Sequence, residues 1–179
     1  MSATDRDDVD EVVAQWARER PELELSPMAT FGRLGRFLAH ASRSVDAVFD
    51  AHGLNLGEFD VLAALRRSGE PYVMRPTDLA RTLMLSPAGM TNRLDRLEAA
   101  GLVERSNDPD DRRSQVVALT GTGRATVDAA VVDHVVNEAR LLEPLTGSER
   151  VALDRALRKL LRQFDQRDLQ AIVTPRSRT

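Results

Sequence analysis

The chain has 179 residues, enough to bury its own core, with 42% hydrophobic, 30% charged and 4% aromatic residues, a composition that excludes disorder and favours a helical core of Leu, Val and Ala. It has no cysteine, which removes disulfides, thiolate nucleophiles and cysteine-based redox sensing, and its formal net charge of -3 does not by itself advertise nucleic-acid binding. The N-terminus MSATDRDDVDE is acidic and no uncharged apolar run approaches the length of a membrane span, so neither export nor insertion is expected and a cytoplasmic location is the simplest reading.

In chain order, Thr4 with Asp7 forms a capping box predicting a helix over residues 5–20, with Val9, Val12, Val13 and Trp16 as its apolar stripe and Pro21 as its stop. Ser26 and Pro27 open a second helix carrying Phe31, Leu34, Leu38, Val45, Val48 and Phe49, which Gly53 closes. Asn55, with Glu58 reaching back and Leu54 placed to staple against Phe59, caps a third helix that ends at Gly69. Tyr72 to Met74 is short enough to be one strand of a small sheet. A short helix, PTDLARTLML, precedes SPAGMTNRLDRLEAAG (residues 86–101), which has a start signal, one apolar stripe and a glycine stop. Arg105 to Thr120, RSNDPDDRRSQVVALT, places two β-branched runs around a turn rich in Asp, Pro and Arg and reads as a hairpin with a charged tip. A helix to about Glu143 follows, and Thr146 with Glu149 caps a last one through Val151, Leu157, Leu161 and Phe164. Residues 169–179 are read as the tail, polar with a proline from Thr174 to Thr179.

Helix, turn, helix and hairpin in that order predict a mainly α winged helix-turn-helix with a small three-stranded β-sheet, the second helix entering a DNA major groove and the hairpin arginines reaching phosphates or the minor groove. At about 100° per residue, Met90, Leu94, Leu97 and Gly101 share the core-facing sector, while Ala88, Thr91, Asn92, Asp95 and Ala99 lie opposite and Arg96 flanks them. Ser86, Ala88, Thr91, Asn92 and Arg96 are therefore the expected groove contacts. Asp110 and Arg112 are spaced to pair around the turn and shape the wing, leaving Arg113 or the extended Arg112 to reach DNA. The cations between Arg93 and Arg113 are matched by nearby carboxylates, so affinity must come from where the arginines point and from pairing two copies.

The segments RLEAAGLVER (residues 96–105) and DPDDRRSQVVALT (residues 108–120) resemble the signature of the MarR family of transcriptional regulators almost letter for letter. The resemblance implies one MarR-type domain over 1–179: N-terminal helices 5–53, the extra helix 5–20 among them; a winged helix-turn-helix core 54–119; C-terminal helices 120–168; and the tail. It also implies that the terminal helices interlock in a homodimer, which would cover apolar faces that one winged unit leaves open. In the family an Asp-x-Arg pair shapes the wing, which carries over to Asp110, Arg112 and Arg113.

Trp16 is the only tryptophan, Asp60 is a carboxylate in the apolar run FDVLAAL, Arg93 borders the core sector of the second helix, and Arg105 opens the hairpin. The set Trp16, Asp60, Arg93 and Arg105 is similar to the ligand pattern of the urate-responsive branch of that family. An aromatic face for stacking, a guanidinium for paired hydrogen bonds and a displaceable carboxylate suit a flat oxygen-rich anion. The plainer alternative is that Trp16 staples the extra helix and Asp60 pairs with Arg93 or Arg105. His40, His52 and His134 are scattered without metal-ligand spacing, so no metal or cofactor is expected beyond a small-molecule effector. No nucleophile-base set or phosphate loop points to an enzyme. The expectation is a DNA-binding regulator, most often a repressor, that binds a pseudo-palindromic double-stranded operator as a homodimer and answers an aromatic anion such as urate. The alternatives are a regulator answering a phenolic or other lipophilic anion, and a winged-helix protein-interaction module without DNA binding.

Overall fold

The structure is a computed structural model that describes the main chain of residues 6–109, 111 and 114–173, with side chains through Phe164. Seven helices and three strands follow one another as α1 (Asp8–Glu19), α2 (Ser26–Ala51), α3 (Leu56–Arg67), β1 (Val73–Met74), α4 (Pro76–Thr82), α5 (Pro87–Ala99), β2 (Val103–Asn107), β3 (Gln115–Leu119), α6 (Gly121–Leu141) and α7 (Gly147–Val173) among the described residues. The chain divides into two compact units, Met1–Asn137 and Glu138–Thr179.

The first unit holds the winged core. Its sheet is antiparallel in the order β1-β3-β2, with Val73 opposite Ala118, Val103 opposite Leu119 and Asn107 opposite Gln115. Phe49 of α2, Val61, Leu62 and Leu65 of α3, Leu79 of α4, Met90, Leu94 and Leu97 of α5, and Val117 of β3 are buried together. The apolar stripe expected on the second helix is the face that α5 buries, because residues spaced near 3.6 fall on one side of it. Ser86 caps α5, its hydroxyl accepting from the Gly89 N–H at 3.2 Å, with Pro87 at the first helical position. Asn55 and Glu58 form the expected capping box of α3 at 3.0 and 2.9 Å, with Leu54 and Phe59 both buried beside it.

The start of α1 differs from the sequence expectation. Asp7 is the N-cap, with Asp10 reaching back to it, so the helix begins at Asp8 rather than near residue 5. The reason is tertiary: Arg33 of α2 donates to Asp7 at 2.8 Å and to Asp10 at 2.7 Å, and Arg36 pairs with Asp8 at 2.5 Å. The guanidinium of Arg33 holds the Asp7 carboxyl below the usual range, and the Asp7 N–H together with Arg33 does the same for Asp10. Beneath these pairs the buried Val9 lies against Gly32, where an added Cβ would come within 2.9 Å of Val9 Cγ1. The close approach of α1 to α2 thus depends on a residue without a side chain.

The second unit is the end of α6 and all of α7. Thr146 and Glu149 form the expected box, Glu149 Oε2 accepting from the Thr146 N–H at 2.8 Å and from its hydroxyl at 2.6 Å. The helix runs to Val173, past the expected end near residue 168. Leu160, Leu161 and Phe164 are exposed on it.

Candidate nucleic-acid interface and effector site

Helix α5 presents Ser86, Ala88, Thr91 and Asn92 to solvent along its first two turns, the outward face expected of them. None bears a charge, so these positions offer small surfaces and hydrogen-bonding groups able to approach base edges. Arg96 is exposed on the flank, where its Nε donates to Glu58 Oε1 on α3 at 2.7 Å. The tight turn before the helix places Met84 at φ 52 with 93% of its surface exposed. Glycine would adopt that backbone without strain.

The wing is β2 and β3. Its base is fixed by the Asp108 N–H donating to Ser114 O at 2.9 Å and by the Ser114 N–H donating to Asp111 O at 2.8 Å. Asp108 is buried, and Arg75 at the start of α4 donates to it, which raises the guanidinium's proton affinity. A cleft lined by Arg75, Pro76, Thr77, Asn107, Ser114 and Gln115 opens between α4 and the wing. Asp110, Arg112 and Arg113, which the sequence assigns to wing shaping and DNA contact, lie outside the described residues.

The four residues expected to form an effector site lie on four elements, α1, α3, α5 and β2. Asp60 of α3 and Arg93 of α5 face one another across the helix pair. Burial pushes the Asp60 carboxyl up from its ordinary value, against the opposing charges of Arg93, Arg67 and His134. Arg93 gives its hydrogen bond to Gly57 O, from Nη1 at 3.2 Å. His134 stands at the same end of the core, its ring centroid 5.0 Å from that of Phe49 and 5.5 Å from that of Phe59. Trp16 sits on α1 with 44% of its surface exposed. Arg105 is drawn to the recognition helix, donating from Nη2 to Asp95 at 2.6 Å with Glu98 3.6 Å from its Nε. Sequence reasoning missed these partners, although strand alternation puts Arg105 on the face of buried Val103, and Asp95 and Glu98 share one side of α5. Among the described residues no group of His, Asp and Glu could hold a metal ion, and no helix is long and apolar enough to cross a membrane.

A capped helix whose first two turns present uncharged groups outward, preceded by a short helix and followed by an antiparallel wing, defines a winged-helix DNA-binding protein. The chain belongs to the MarR family: that family's model matches residues 52–114, and the regulator PecS of Dickeya dadantii is 41% identical over 150 residues, which cover 84% of this chain and 90% of PecS. Among solved structures, a mutant MarR from Escherichia coli in complex with operator DNA is 26% identical with a TM-score of 0.65, covering 76% of this chain and 97% of that one. AbsC, a MarR family regulator from Streptomyces coelicolor, shares the fold with a TM-score of 0.71 at 24% identity, covering 80% of this chain and 97% of AbsC. The protein is therefore a DNA-binding transcriptional regulator of the PecS type rather than an enzyme, and its partner is DNA.

Proposed function

We propose that the chain is a homodimeric repressor that binds a pseudo-palindromic operator and is released from it by a small aromatic anion such as urate. Two copies would set their recognition helices in successive major grooves about 10 base pairs apart, one turn of the duplex. Ser86, Ala88, Thr91, Asn92 and Arg96 would enter or flank the groove, with Arg112 and Arg113 on the wing and Asp110 shaping it. Support for the dimer comes from apolar side chains left open on the terminal helices, including Phe31 and Leu38 of α2 and Leu161 and Phe164 of α7. As a protein that acts on chromosomal DNA it would work in the cytoplasm.

The observation that carries the effector reading is the half-buried Asp60 carboxylate opposite an arginine that rides on the recognition helix. An anion gripped by Arg93 repels Asp60, and both effects act on the contact between α3 and α5. In this reading Trp16 contributes the stacking face and Arg105 transmits the change to the wing through Asp95 and Glu98.

Urate titrated into the protein is expected to quench the single tryptophan and to release operator DNA over the same concentration range, and Arg93→Ala to abolish both responses with the fold retained. Quenching without release, or no binding at all, would sink the urate reading. Release by a phenolic carboxylate instead would reassign the ligand class while keeping the site.

A further inference from the structure

We propose that the first turn of α3, Gly57 and Glu58, is a clamp that holds the recognition helix in the pose that reads operator sequence. Two arginines one turn apart on α5 dock on these two adjacent residues. Arg93 Nη1 donates to Gly57 O at 3.2 Å, and Arg96 Nε donates to Glu58 Oε1 at 2.7 Å. Two attachments of this kind fix both the rotation of α5 about its axis and its slide along α3, which a single one would leave free.

Both clamp residues are committed to this task. The Glu58 side chain is only 12% exposed, and its second oxygen accepts the Asn55 N–H at 2.9 Å, so its rotamer is set by the cap of its own helix. Held through Nε, Arg96 still has 57% of its side chain exposed for a phosphate or base edge. At position 57 the guanidinium lies where a side chain would be: an added Cβ would stand 2.5 Å from Arg93 Cζ and 2.8 Å from its Nε and Nη1. Alanine is the better helix former, so local propensity does not ask for glycine inside α3. The close approach of Arg93 does.

Positioning and charge have separable consequences for DNA binding. Affinity for arbitrary sequence follows the number of phosphates neutralised, whereas discrimination needs the helix at one angle and depth in the groove. Without the clamp, operator affinity should fall while binding to scrambled DNA stays nearly as it was.

The test uses the full-length protein, a labelled duplex selected by the wild type from a random library, and a scrambled duplex of the same length. Gly57→Ala, which alters no charge and favours the helix, is expected to lower the ratio of operator to scrambled affinity about five- to ten-fold, the scale of one missing hydrogen bond. In an Arg93→Ala background the same substitution should add nothing, since no guanidinium remains for the Cβ to displace. Glu58→Gln is expected to lower the ratio likewise, and to add nothing once Arg96 is Ala. An unchanged ratio in both variants overturns the clamp. So does a fall of equal size with and without the arginines, which would mean that the substitutions act through α3 itself. Operator and scrambled affinities rising together in Glu58→Gln would also overturn it, because Glu58 would then be a competitor for Arg96 rather than its support.

Discussion

Arg75, at the start of α4, donates from both Nε and Nη2 to one oxygen of Asp108, at 2.9 and 2.6 Å, and so ties the helix-turn-helix to the base of the wing. The Asp108 side chain is only 7% exposed, so the two hydrogen bonds from Arg75 are made where water competes little. Arg75→Ala is expected to destabilise the fold and to loosen the wing, weakening operator binding as well. Urea unfolding with an operator titration checks both; unchanged values in each would show that the pair does not set the wing.

The charged turn between β2 and β3 yields a second expectation. Replacing Arg112 and Arg113 with Ala should leave the fold intact and flatten the salt dependence of operator binding by about 0.9 in log-log slope for each phosphate no longer neutralised. Binding measured from low to high salt provides the slope. If affinity and slope both stay at wild-type values, the wing takes no part in DNA binding.

Asp60 links the proposed effector site to stability. Its folded carboxyl binds a proton more tightly than the unfolded one, whose ordinary value is 3.8, so in the window just above that value the folded state holds more protons and stability falls as pH rises. Above the raised folded value the penalty is constant. Asp60→Asn should therefore stabilise the protein at neutral pH, by an amount that disappears toward about pH 3, below both proton affinities, as thermal unfolding across pH will show. Were the variant less stable than wild type near neutral pH, Asp60 would be an ion-pair partner that Arg93 stabilises rather than a carboxylate strained by burial.

The apolar side of α7 predicts the assembly. Removing residues 151–179 takes away Leu160, Leu161 and Phe164 and should convert the protein to a monomer or an insoluble form. Light scattering that finds a soluble truncated dimer would move the interface elsewhere.

Local chemistry in the chain was sufficient for the elements themselves. Ser86 before Pro87, the Met90, Leu94 and Leu97 stripe, and the boxes Asn55 with Glu58 and Thr146 with Glu149 are all short-range signals, because a cap or a helical face is decided within a few residues. The order of those elements, together with the segments at 96–105 and 108–120, was enough to expect the winged fold and the family. Partner choice was another matter. Thr4 with Asp7 was the box the sequence suggested for the start of α1, yet Asp7 is the cap and Asp10 its partner, and Arg33, 23 residues beyond Asp10, pairs with both. Arg75 and Asp108 are 33 residues apart, Arg93 and Gly57 36, and Arg96 and Glu58 38. Arg105 had Asp60, Asp95 and Glu98 all within the sequence to choose from, and it went to the helix that packs over its strand. Such pairings depend on strand register and on the angle at which helices cross, both set by core packing among distant segments, so the sequence shows which side chains carry chemistry but the tertiary structure decides which of them meet.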